Sequence, residues 1–225
     1  MTIAFALVSA LIVGACTPEH PVAQAPPAGA TERVLAGALR GRTGATLLIA
    51  DAASRVEIRV AEMPGLLYRI ATPADSALSP RISRRRGLHR LDFVETGRSG
   101  PSTVRIVLNR AVAWDLRIPV GAGEQQLDLS DGRVTRLDLG AAGLIELRLP
   151  PPTGTVPVIL RNGAGTLELT SPRAVAMRLT LHSGARAVRT PWRDTLVSPT
   201  WPTARDRYAV NIRAETGTVT VHEDS

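Results

Sequence analysis

The sequence predicts an all-β chain, a single-domain β-solenoid with coils of about 21 residues. Three observations carry this. Apolar pairs two residues apart recur as Leu116/Ile118, Leu137/Leu139, Val158/Leu160 and Leu179/Leu181, each displaced from the last by 21 residues. Each pair leads into a corner of small residues, such as GAG at 121–123, GAAG at 140–143 and GAG at 163–165, and a second alternating segment comes after it. No long stretch shows the 3.6-residue period of an amphipathic helix, whereas period-2 alternation marks strands with one buried face. A fixed period through consecutive units points to stacked coils. The alternative is a β-sandwich of hairpins, because alternation alone does not separate parallel from antiparallel pairing.

In chain order, residues 1–16 come first. Their apolar run from Ile3 to Val13 is too short to span a bilayer and suits the hydrophobic region of a signal peptide. It ends in Val13, Gly14, Ala15 and Cys16, which resembles the lipobox of bacterial lipoproteins. The resemblance implies that Cys16 is the lipid-attachment residue and that the chain is held by a lipid anchor on the outer, extracytoplasmic face of the bacterial cytoplasmic membrane. Cys16 is the sole cysteine, so a disulfide within the chain is excluded. Residues 17–42, rich in Pro and Ala, are expected to be a flexible tether. The β-solenoid domain is assigned to residues 43–225, with an early coil at Ile49, Ser54, Val56, Ile58 and Val60.

All 27 basic residues are arginine and the net charge is +7. The arginines fall singly along alternating segments, as on solvated strand faces, and no nucleic-acid partner is expected. One cluster is denser. RISRRRGLHR at 81–90 reads as a basic loop, and Arg84, Arg85 and Arg86 are candidates for contact with an anionic surface, either lipid or an envelope polymer.

The glycines at the corners are expected to be structural turns: Gly123, Gly143, Gly163, Gly165 and Gly217. A phosphate-binding loop needs a helix after it. Gly165 instead leads into TLELTSP, a strand ending at proline. Leu137, Leu160 and Leu181 are expected to stack in one internal column. The last pair, Val210/Ile212, continues the series after an insertion at 190–208 that holds Trp192 and Trp201. Tryptophans there are expected to cover the open end of the stack.

A family resemblance rests on four stretches: GLLYRIATP (65–73), STVRIVLNRAVAWDLRIPVGAG (102–123), LPPPTGTVPVILRNGAGTLEL (149–169) and DRYAVNIRAETGTVTV (206–221). They resemble the bacterial putative-adhesin, or toast-rack, β-solenoid families and, more distantly, the soluble domain of membrane proteins in cell-wall antibiotic responses. The resemblance implies a fold and an envelope location, with no catalytic residue to carry over.

Candidate chemistry is sparse. His20, His89, His182 and His222 lack a second His or Cys at metal-ligand spacing, so neither a metal nor a cofactor is expected. Aligning the coils on their corners places Gln126, Glu146, Glu168 and Arg189 in one outward ladder. In parallel coils Glu146 and Glu168 would lie about 5 Å apart, a spacing open to acid–base work on a glycan. The sequence therefore favours a non-enzymatic envelope lipoprotein, an adhesin-like or sensory scaffold with an envelope polymer or protein as partner. The competing reading is a glycan-active β-helix enzyme using those surface carboxylates.

Overall fold

The computed structural model describes residues 31–193 and 195–224; the leader with Cys16, and the tether as far as residue 30, lie outside them. The described residues form seventeen strands and no helix. Strand β1 (Glu32–Ala38) precedes a first coil, β2 (Gly44–Ile49) and β3 (Ala53–Ala61). Two strands outside the repeat come next, β4 (Leu66–Pro73) and β5 (Leu78–Arg85). Six more coils complete the chain: β6 (Leu88–Glu95) with β7 (Thr103–Asn109), β8 (Ala113–Ile118) with β9 (Ala122–Asp128), β10 (Arg133–Leu139) with β11 (Ala142–Arg148), β12 (Thr155–Leu160) with β13 (Ala164–Pro172), β14 (Ala176–Leu181) with β15 (Ala185–Arg189), and β16 (Arg207–Ile212) with β17 (Thr216–Asp224).

Each coil gives one strand to each of two sheets. The first sheet has the order β1-β4-β7-β3-β9-β11-β13-β17-β15, and the second β14-β16-β12-β10-β8-β2-β6-β5. Coil strands pair in parallel throughout, so the architecture is a flattened β-solenoid and not a sandwich of hairpins. Among the named strands antiparallel pairing is confined to one end, where β1, β4 and β5 close the stack; at the other end the insertion makes one antiparallel bridge, Arg178 to Val197.

Because pairing is in register, like residues stack on the inner faces. The second sheet carries the column His89, Leu47, Leu116, Leu137, Val158, Val210 and Leu179, and the first carries Ile106, Ile58, Leu127, Leu147, Leu169 and Val221. All of these are buried. The expected column of Leu137, Leu160 and Leu181 is corrected by one position. Leu137 faces Val158, while Leu160 lies between Leu139 and Ile212, and Ile212 faces Leu181. The 21-residue displacement relates Leu139 to Leu160, and Leu137 is the other inward residue of its strand.

Chain order and stacking order differ at both ends. The last coil, β16/β17, lies between β12/β13 and β14/β15, so it does not extend the stack as the sequence suggests. Symmetrically, the first coil, β2/β3, lies between β6/β7 and β8/β9. The insertion after β15 supplies the length needed to step back past one coil, and it lies along the free edge of β14. Leu179 donates its N–H to Leu196 O at 2.7 Å, and Ser198 donates to Met177 O at 2.9 Å. Trp192 is buried there, with its indole N–H 3.3 Å from Glu223. The edge of an otherwise open sheet is thereby paired.

Strand β1 occupies part of the segment that composition assigns to the tether. It pairs antiparallel with β4 over Glu32–Ala38. Gly37 lies flat against the Tyr68 ring, where an added Cβ would fall 2.6 Å from a ring carbon. Only a residue without a side chain lets the strand pass there.

Candidate functional site

The corner glycines serve two different purposes. Gly163 has φ of 77°, and Gly121 and Gly184 share the left-handed conformation; these residues make the bend itself. Gly123, Gly143, Gly165 and Gly217 have ordinary backbone angles and stack on one another just after the bend. A Cβ on Gly165 would sit 2.6 Å from Gly143 O, one on Gly123 would sit 2.7 Å from Ser54 O, and one on Gly217 would strike Gly165 O. These four are sites of close backbone approach between coils, with no helix after them to receive a phosphate.

On the outer face of the first sheet, side chains stand in straight rows. Glu57, Gln126, Glu146, Glu168, Thr220 and Arg189 are successive register partners. The expected ladder is thus present with one correction: Thr220 of the interposed last coil separates Arg189 from Glu168. At the other end Arg105 bonds both Glu57 and Glu32 at 3.2 Å, Arg69 reaches Glu32 at 3.1 Å, and Arg55 spans Glu57 at 3.0 Å and Glu124 at 3.3 Å. A shallow, open groove crosses this face, lined by Glu57, Arg105, Gln126, Asp128, Glu146 and Arg148. Glu146 is half-buried and Glu168 exposed, so both carboxylates remain in contact with water.

The outer face of the second sheet holds a tighter group that no sequence motif announces. Asp138 is buried, yet Arg161 grips both its oxygens at 2.5 Å and Arg136 adds a contact at 3.3 Å. Burial alone would raise its pKa, but the hydrogen bonds and charges of Arg161 and Arg136 outweigh it and hold the carboxyl below its usual value. Beside it Arg117 is paired with Asp115. The group is an ion cluster whose members come from adjacent coils and tie them together, with Arg136 Nε left buried and unbonded.

The basic stretch 81–90 is not a loop. It forms the antiparallel hairpin β5/β6, with Arg85 opposite Leu88 and a two-residue turn of Arg86 (φ 48°) and Gly87 (φ 84°). Two positive φ angles define the turn favoured between twisted strands. Arg84, Arg85 and Arg86 are exposed, and Arg84 donates to the Tyr68 hydroxyl at 3.1 Å. His89 points the other way. It stands buried at the head of an inner column, edge-on to Tyr68 with ring centroids 5.4 Å apart, and neither ring nitrogen has a hydrogen-bond partner. Burial, with the nearby charges of Arg84 and Arg42, lowers its pKa to about 4. His182 and His222 are both exposed and far apart in sequence, and the described residues hold no cluster of three or more metal-ligating side chains. His20 lies outside the described residues.

Known proteins share this architecture. Residues 81–170 match the family described as the N-terminal domain of toast_rack, DUF2154. A putative cell adhesion protein from Clostridium sporogenes has a similar structure, with a TM-score of 0.69 at 17% identity over 86% of this chain and 99% of its own. A putative adhesin from Bacteroides fragilis is more distant, with a TM-score of 0.32 at 8% identity over 84% of this chain and 96% of its own. A search of curated proteins returns no match. The matched segment opens at the β5/β6 hairpin and closes in β13, and so includes the regular centre of the stack. Residues 81–170 are thus similar to a toast-rack N-terminal domain, and the described residues on either side continue the same β-solenoid fold.

Proposed function

We propose that this chain is a non-enzymatic, adhesin-like or sensory scaffold of the bacterial envelope, lipid-anchored through Cys16 on the outer face of the cytoplasmic membrane. The observation that carries the reading is the outer face of the first sheet. Its polar side chains stand in straight, in-register rows, and Arg55, Arg69 and Arg105 are already neutralised by Glu32, Glu57 and Glu124. Such a face suits contact with an extended partner at many points, each weak, more than the distortion of one bond in a small substrate. The partner class that fits is an envelope polymer or a protein surface. The likeness to the putative cell adhesion protein of Clostridium sporogenes supports the same direction.

The anchor is tested in cells by labelling with a fatty-acid probe. Wild type is expected to take the label and Cys16→Ser to lose it and leave the membrane fraction; equal labelling of both would remove the anchor from the proposal. The glycan-active alternative draws on the in-register pair Glu146 and Glu168. It requires that purified protein release sugar from envelope glycan and that Glu146→Gln abolish the release. The scaffold reading expects no release from either protein.

A further inference from the structure

We propose that the end of the solenoid formed by the β1–β2 and β5–β6 turns is a second membrane contact, a cationic tip that docks on anionic phospholipid headgroups. Because β2 and β6 pair in parallel from Thr46 opposite Leu88, the turns that lead into them lie side by side. The β1–β2 turn carries Arg40 and Arg42; Arg84 and Arg85 end β5, and Arg86 opens the turn after it. Four of the five are exposed and Arg42 is half-buried. None of the five takes part in an ion pair among the described residues, whereas Arg55, Arg69, Arg90, Arg105, Arg117, Arg136 and Arg161 all do. The sequence explains the difference. No Asp or Glu occurs between residues 33 and 50 or between 76 and 91, so both turns and the strands beside them are without acidic partners.

The field of this cluster is felt inside the protein, where Arg84 and Arg42 both disfavour a proton on His89. Five guanidinium groups gathered at one end without an acidic partner set up a positive potential that attracts an external anion. A planar bilayer fits better than a dissolved polymer for two reasons. The cations project from one end of the stack and do not line a groove. The chain also reaches this end from the leader side: β1 lies in the outermost position of the first sheet, and the fifteen Cα–Cα steps from Cys16 to Thr31 span at most about 50 Å. This rests on the anchoring proposed above for its geometry, although binding of the tip to lipid does not require the acyl chain.

The test uses the full chain carrying Cys16→Ser, so that no lipid anchor contributes, and measures co-sedimentation with vesicles of phosphatidylglycerol and phosphatidylcholine, or phosphatidylcholine alone. Binding is expected to the anionic vesicles only and to vanish in high salt. With each arginine near the surface contributing roughly a fivefold gain, Arg84→Gln/Arg85→Gln/Arg86→Asn is expected to weaken it on the order of 100-fold. Asn at 86 keeps the left-handed turn conformation accessible. A control with the same loss of charge at the other end, Arg173→Gln/Arg186→Gln/Arg189→Gln, is expected to change it far less. Thermal unfolding verifies that both variants fold. Equal loss in both variants, binding to neutral vesicles, or binding to a soluble polyanion with none to vesicles would each overturn the proposal. Loss of fatty-acid labelling with vesicle binding intact would remove the anchor and leave the tip.

Discussion

At the residue scale, two polar side chains stand where the columns call for aliphatic ones. Gln125 is fully buried between Val56 and Ile145 on the inner face of the first sheet. Its amide N–H makes one long bond to Ala141 O at 3.4 Å, and its carbonyl oxygen has no partner. Leaving such an atom unpaired costs about 1–3 kcal/mol. Gln125→Leu is therefore expected to raise the midpoint of thermal unfolding by several degrees, and a fall would mean that the amide bond matters more than its geometry suggests. His89 is the other. Its pKa of about 4 lies below the value near 6.5 of an unfolded chain. Between those limits the unfolded state takes up a proton that the folded state refuses, so stability is full above pH 6.5 and declines as pH falls toward 4, by about 3 kcal/mol in all. Asp138 has the same sign, and its contribution goes at lower pH as the carboxylate held by Arg161 and Arg136 is protonated. Denaturant unfolding across pH 7 to 4 is expected to show the decline in wild type and a much flatter profile in His89→Leu.

At the element scale, the glycine row is the most demanding feature of the coil. Gly165→Val would place a branched side chain where even a Cβ meets Gly143 O at 2.6 Å. It is expected to lower the unfolding midpoint sharply, with no change on adding millimolar ATP or GTP; a nucleotide-dependent midpoint in wild type, lost in the variant, would contradict the structural role. The coil strands were legible in the sequence because each has one buried face and a repeated partner, as Leu137/Leu139 and Val158/Leu160 show. The hairpin at 81–90 was not. In β5 the alternation Leu78, Pro80, Ile82 carries a proline and ends in polar Ser83, Arg84 and Arg85, and its turn uses Arg-Gly where Asn-Gly would have signalled two positive φ angles. Strand β1 was hidden for a related reason. Its sequence, ERVLAGA, is short and rich in small residues, and it is strand only because Gly37 admits the Tyr68 ring. The Asp138 cluster was invisible because Arg161 meets that carboxylate only across coils.

At the scale of the whole molecule, periodicity marked six of the seven coils, missing β6/β7, and did not give their spatial order, because a repeat reports what each unit resembles and not which neighbour it touches. The difference has a measurable effect. In a stack ordered like its sequence, removing the last repeat deletes one interface. Here, removal of residues 207–225 takes a coil from between two others and strips β14/β15 of its only coil neighbour. The truncated chain is expected to become protease-sensitive from about Arg173 onward, well upstream of the cut, and resistance through Arg189 would show that β14/β15 had closed onto β12/β13 instead. The same interposition sets a timetable. A chain emerging from its N-terminus can complete β2/β3 only when β6/β7 has been delivered, and it cannot seal the far end until β16/β17 has entered the slot held for it. Packing of that end must wait until residues 207–224 have been delivered, so the stretch from about Arg173 onward stays threadable through a narrow conduit after the coils before it have stacked.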